Sequence, residues 1–170
     1  MGSGTSSVIN RDKQYRLVSC IEQKNEKLFK DIVNHEGIKV NFIVYPYGQA
    51  LTPIHYAAIY DCPEIIKFLF RRVNLNVCDN YGWTPLHHCA FRNNLRSYET
   101  LVRLGAKQFL KTKENYPGKY HTKNKTALEL SNLQRNYNVM NTSHLINVPI
   151  HVTKNSLSYS QIPEAKLVPS

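Results

Sequence analysis

Between residues 17 and 104 the apolar positions recur at intervals of three and four, and beyond residue 136 they stop doing so. Leu17, Cys20, Ile21, Leu28, Phe29, Ile32 and Val33 keep that spacing on either side of the polar run 22–27, which predicts two short amphipathic helices with a turn near Asn25. A second pair is predicted at 53–59 and 63–71, each opening on a proline whose missing N–H costs nothing in a first helical turn. Ile65, Ile66, Leu69 and Phe70 form the buried stripe of its second helix, widened by Phe68, and Arg71-Arg72 close it at the negative end. A third pair has Leu86 and Ala90 on one face after Pro85, then Tyr98, Leu101, Val102 and Leu104. Asn93-Asn94 turn the chain between these helices and Gly105 stops the second, while Asn74 stands where a stopping glycine is expected and predicts a left-handed residue.

Three copies of one short motif underlie this pattern. Thr52-Pro53-Ile54-His55-Tyr56-Ala57 precedes Thr84-Pro85-Leu86-His87-His88-Cys89-Ala90 by 32 residues, and Thr126-Ala127-Leu128-Glu129-Leu130-Ser131 is a degraded copy 42 residues further on. The sequence resembles an ankyrin-repeat protein, in which a turn, T-P-L-H-x-A and a second helix return about every 33 residues. The resemblance covers residues 47 to 136 and implies an all-α solenoid of stacked helix-turn-helix units joined by hairpin loops. On that pattern the repeat domain is 14–136: a divergent cap at 14–46, repeats at 47–78 and 79–112, an insertion at 113–125 and the degraded repeat at 126–136. In the cap, Leu17 falls on Ile54, Cys20 on Ala57, Leu28 on Ile65 and Ile32 on Leu69. Residues 1–13 read as a flexible leader and 137–170, with Pro149, Pro163 and Pro169, as a mostly disordered tail. Within the tail, Val148, Ile150 and Val152 alternate, so a short strand or linear docking segment is the other reading.

Composition narrows the function. The chain carries 22 Lys and Arg against 12 Asp and Glu, a net charge of +10 spread along its length without a basic run. Such a charge admits an acidic protein, anionic lipid or nucleic acid as partner, and the missing run argues against the last. No stretch of about 18 apolar residues is present to span a membrane. No apolar signal sequence opens the chain either, which reads as a cytoplasmic protein, with the nucleus left open. The four cysteines lack close pairs and read as free thiols. Met1-Gly2 followed by Ser6 matches the N-myristoylation pattern at Gly2, with Arg11, Lys13 and Arg16 as a candidate second membrane signal; a flexible small-residue leader is the plainer alternative.

Chemistry of the catalytic kind is missing. No phosphate loop, nucleophile elbow, metalloprotease signature or paired carboxylates occur, and the His and Cys residues lack zinc-ligand spacing, so neither an enzyme nor a cofactor or metal is expected. His55 and His87 occupy the motif histidine, which in the family joins neighbouring repeats by hydrogen bonds. The resemblance instead implies binding on the concave face made by the finger loops and first helices. It places Tyr47, Gln49 and Leu51 on one finger, Asn80, Tyr81 and Trp83 on the next, and Tyr56, Tyr60, His88 and Arg92 on first helices. Tyr116, Lys119 and Tyr120 of the insertion add a basic, aromatic contact surface, against the plain reading of a solvated loop. Trp83 is favoured as a contact over a core residue, so its removal should spare stability. The expected function is an interaction module, adaptor or inhibitor; the competing one is a regulator recruited to nucleic acid or membrane by charge.

Overall fold

Among the described residues there are seven α-helices, all but the last where the apolar spacing predicted one: α1 (Gly4–Glu22), α2 (Glu26–Glu36), α3 (Pro53–Ile59), α4 (Pro63–Leu69), α5 (Pro85–Arg92), α6 (Leu95–Arg103) and α7 (Ala127–Thr142). The structure, a computed structural model, describes residues 4–119 and 121–142, without the side chains of 4–10, 47 and 136–142. Gly2, Tyr120, the side chain of Tyr47 and the tail from residue 143 therefore lie outside the described residues.

Each motif builds its helix start in the same way. Thr52 and Thr84 are N-caps in extended conformation, and the imidazole three residues on, His55 or His87, accepts the cap's backbone N–H in a reciprocal capping box. Pro53, Pro63 and Pro85 occupy the first helical turn. Asn25 caps α2 by accepting the Leu28 N–H at 3.1 Å, and Asn93, at φ 59°, ends α5 in the left-handed region.

The helices stack in two rows. α1, α3, α5 and α7 pack successively as the inner row, and α2, α4 and α6 as the outer row. Between them lies a continuous core of Leu17, Ile21, Phe29, Ile54, Ile65, Ile66, Leu69, Leu86 and Leu101, all closed to solvent. Repeats are also tied by hydrogen bonds across the stack. Asn94 donates to the Ala58 and Ile59 carbonyls at 2.8 and 2.9 Å, and Asp61 accepts the Ser97 N–H at 3.0 Å.

Four local expectations change. Helix α1 begins at Gly4, so much of the region read as a flexible leader is helical. Leu28 is exposed, and Phe29, Ile32 and Val33 supply the buried face of α2. Asn74 does not take the left-handed conformation; its carboxamide accepts the Asn76 N–H at 2.9 Å and closes the turn with a side-chain bond. The degraded last repeat is one uninterrupted helix of 16 residues, running past residue 136 into the expected tail.

Candidate functional site

The buried carboxylate of Asp79 organises the finger between the two best repeats. One oxygen accepts the backbone N–H groups of Tyr81 and Trp83 at 2.9 and 2.8 Å, which shapes the turn. The other accepts Gln49 Nε2 at 2.8 Å and His88 Nε2 at 3.1 Å, joining the preceding finger and helix α5 to it. At the turn, Gly82 has φ 76°, and a Cβ there would sit 2.6 Å from Lys113 Cγ and 2.8 Å from Lys113 N. Glycine is needed for both the conformation and the close approach, since the insertion hydrogen-bonds to this finger through Lys113 N and Glu114 N on the Tyr81 carbonyl.

The insertion is folded back rather than extended into solvent. Thr112 N and Asn124 N pair across its base, with Lys125 and Thr112 carbonyls, and Asn124 takes the left-handed conformation at φ 56°. Asn115 Oδ1 accepts the Thr122 and Lys123 N–H groups, and Thr122 Oγ1 accepts that of Tyr116. The Tyr116 ring thereby lies 4.7 Å from Trp83 and 6.0 Å from both His88 and Phe91, and its hydroxyl donates to Gln49 Oε1 at 3.1 Å.

This packing overturns several expected contact residues. Trp83 has no exposed surface: Phe91, His88 and Tyr116 enclose its ring, and the insertion forms the lid that sequence alignment alone could not supply. His88 is buried beneath the same lid and is engaged by Asp79. Leu51 is buried because the bridge between Val44 and Leu51 turns its side chain into the core. Tyr56 and Gln49 are buried too, Tyr56 stacking on Tyr60 at 6.3 Å. Tyr116 and Tyr81 are half-buried. Burial, reinforced by the nearby Glu22 carboxylate, pushes the Tyr56 phenol up to about 12.

Electrostatics follow the same logic. Burial, with the neighbouring His88 second, depresses His55 to about 3, and burial depresses His87 to about 4. Their Nδ1 atoms accept the Thr52 and Thr84 N–H groups, which leaves Nε2–H to donate to the Trp83 carbonyl at 3.2 Å and the Leu110 carbonyl at 2.9 Å. These are the inter-repeat joints that the motif histidines were expected to make. His88 is likewise held neutral by burial, despite the opposing pull of Asp79. Burial would raise Asp79, but the hydrogen bonds it accepts from His88, Gln49 and Trp83 leave its carboxyl below the ordinary range.

What remains exposed on the inner side is Asn80, Arg92 and Lys119, with Tyr60 half-exposed. Asn80 spans the two fingers, accepting the Ala50 N–H at 3.0 Å and donating to the Gly48 carbonyl at 3.1 Å. Arg92 and Lys119, from helix α5 and from the insertion, line one groove of about 400 Å³ with Ile59, Phe91, Asn93 and Asn94. Neither cation makes an ion pair among the described residues. Sequence reasoning had both residues but could not see that a segment 27 positions away closes onto the end of α5. Tyr60 stands at the end of α3, its hydroxyl donating to Glu22 at 3.2 Å. Elsewhere, Cys20, Cys62 and Cys89 are free and buried, Cys78 is free and exposed, and burial raises all four thiols above their ordinary range. No group of three or more His, Cys, Asp or Glu among the described residues is placed to hold a metal ion, and no described helix is long and apolar enough to cross a membrane.

Comparison with known proteins agrees with the architecture. A family model for "Ankyrin repeats (3 copies)" matches residues 17–112. Over 89 residues the chain is 27% identical to the NAD-dependent deacetylase sir2B of Dictyostelium discoideum, 51% of this chain and 11% of that protein. Over 59 residues it is 34% identical to the transient receptor potential cation channel subfamily A member 1 of Drosophila melanogaster, 34% of this chain and 5% of the channel. The chain spans a small part of either relative, whose activities remain their own.

Proposed function

The chain belongs to the ankyrin-repeat family, a family of protein-interaction modules that are in general non-catalytic, and from that premise we propose that it is an adaptor or inhibitor holding an acidic segment of a partner protein. The observation that carries this reading is the pair of exposed cations, Arg92 and Lys119, converging on one groove with no ion-pair partner among the described residues. A partner carboxylate there gains two charge-assisted contacts, and the apolar walls of Ile59 and Phe91 offer area beside them. Tyr60, at the end of α3 and near Arg92, adjoins this groove.

Charge reversal tests it. Quantitative capture from cell lysate with Arg92→Glu plus Lys119→Glu is expected to lose its specific protein partners at least about tenfold, the equivalent of 1.4 kcal/mol, while the melting temperature stays that of the wild type because both side chains are exposed. Undiminished capture overturns the groove. Capture abolished by nuclease treatment supports the electrostatic nucleic-acid reading instead, which also predicts a steep loss of binding with salt.

The motif at Met1-Gly2 supports myristoylation of Gly2 as part of the same proposal. The candidate second signal is weakened, since Lys13 and Arg16 both pair with Glu36, at 3.1 and 3.3 Å. One acyl chain without a free basic patch gives marginal, reversible attachment. Clickable myristate is therefore expected to label the wild type and not Gly2→Ala, with most labelled protein recovered in the soluble fraction. Equal labelling of both removes the lipid.

A further inference from the structure

Helix α7 is an inner helix without an outer partner among the described residues. In the two preceding repeats the outer helix starts ten residues after the inner one, at Pro63 after Pro53 and at Leu95 after Pro85. Ten residues beyond Ala127 the chain is still in α7, which is described as far as Thr142. Among the described residues the outer row thus stops at α6, and between α6 and α7 there is an apolar groove of about 100 Å³ lined by Ala90, Leu95, Tyr98, Leu128, Ser131 and Arg135. Leu95 and Leu128 are 55% and 62% exposed on its two banks. Leu128, Ser131 and Arg135 form a single stripe of α7 at spacings of three and four, so the groove runs along that helix. A repeat stack needs its terminal apolar face covered.

We propose that the chain's own residues 145–152, Leu-Ile-Asn-Val-Pro-Ile-His-Val, seat in this groove, which no described helix covers. Reach supports this occupant. From Thr142 back to Leu128 is 14 residues of helix, about 21 Å at 1.5 Å per residue. A chain that reverses after Thr142 and runs extended at about 3.3 Å per residue covers that distance in about seven residues, bringing Ile150 level with Leu128. Period-two alternation then turns Val148, Ile150 and Val152 toward the same bank. Pro149 excludes a helix interior and holds Val148 extended. Attachment immediately after α7 gives the segment a high effective concentration, so it outcompetes a second copy or a foreign peptide of equal intrinsic affinity.

Hydrogen–deuterium exchange on the full chain tests the assignment, comparing wild type with Leu128→Asp and with Ile150→Asp at two protein concentrations. Amides of residues 145–152 other than Pro149 are expected to exchange at least about tenfold slower than an unstructured peptide, equally at both concentrations, and each substitution should release them. Ile150 lies outside the described residues, so Ile150→Asp removes no contact described within α1 to α7. Exchange at the unstructured rate in wild type overturns the proposal, as does protection that survives both substitutions. Protection that grows with concentration assigns the groove to a second copy and overturns it equally.

Discussion

Replacing Trp83 with alanine is expected to destabilise the folded chain by about 3–5 kcal/mol, the cost of emptying a large aromatic site in a closed core. Trp83 is wholly buried, with Phe91 edge-on at 5.3 Å and Tyr116 at 4.7 Å. Its indole Nε1 has no hydrogen-bond partner among the described residues, so phenylalanine keeps much of the packing at no polar loss and should cost markedly less. Loss of the indole also removes the platform under Tyr116, so the insertion should loosen in the alanine variant and stay ordered in the phenylalanine one. Denaturant titration of the two variants gives the comparison, and an alanine midpoint equal to wild type would return Trp83 to the surface. Any fall in partner capture on Trp83→Ala therefore reports unfolding, whereas Arg92 and Lys119 can be changed without it.

Acid should unfold the protein well before its carboxylates are exhausted. The unfolded chain protonates its histidines at the ordinary value of 6.5, while the folded chain keeps His87 neutral to about 4 and His55 to about 3. Below 6.5 the unfolded state binds more protons, so stability falls as pH falls, by about 1.4 kcal/mol per pH unit for each such histidine. Their contribution is intact above 6.5, and the loss ends for each group only once pH passes its folded value. His88, also depressed, and the lowered Asp79 act in the same direction. Protonated Nδ1 would further cease to accept the Thr52 and Thr84 N–H groups, opening both capping boxes. Calorimetry should show a flat midpoint above about pH 7 and a steep decline between about pH 6 and pH 4. A flat midpoint across that whole interval would mean that these imidazoles are not buried neutral.

The fold was legible because its signals are local. Thr-Pro and the histidine three residues on define a cap, a proline and a joint within one helical turn, and both full copies take that geometry. The core stripe Ile65, Ile66 and Leu69 needs only helical spacing. The site was less legible because its contacts join distant residues: Gln49 meets Tyr116 across 67 positions and Asp79 across 30. Family alignment assigned Trp83 and His88 an outward position, but this chain's own insertion covers them. Charge misled in a similar way, since Lys13 and Arg16 are spent on one glutamate from the neighbouring helix.

The insertion's attachments have a consequence for how tightly a partner can be held. Lys119 sits between the Tyr116 anchor on Gln49 and the Asn115 and Thr122 bonds that fasten the returning strand of the loop. Its backbone position relative to Arg92 is thus set before any partner arrives. A cation on a free loop would surrender conformational entropy at the moment of binding, and that loss would be subtracted from the affinity. Here folding has already met that cost, so a ligand that bridges the two cations keeps more of what its contacts provide.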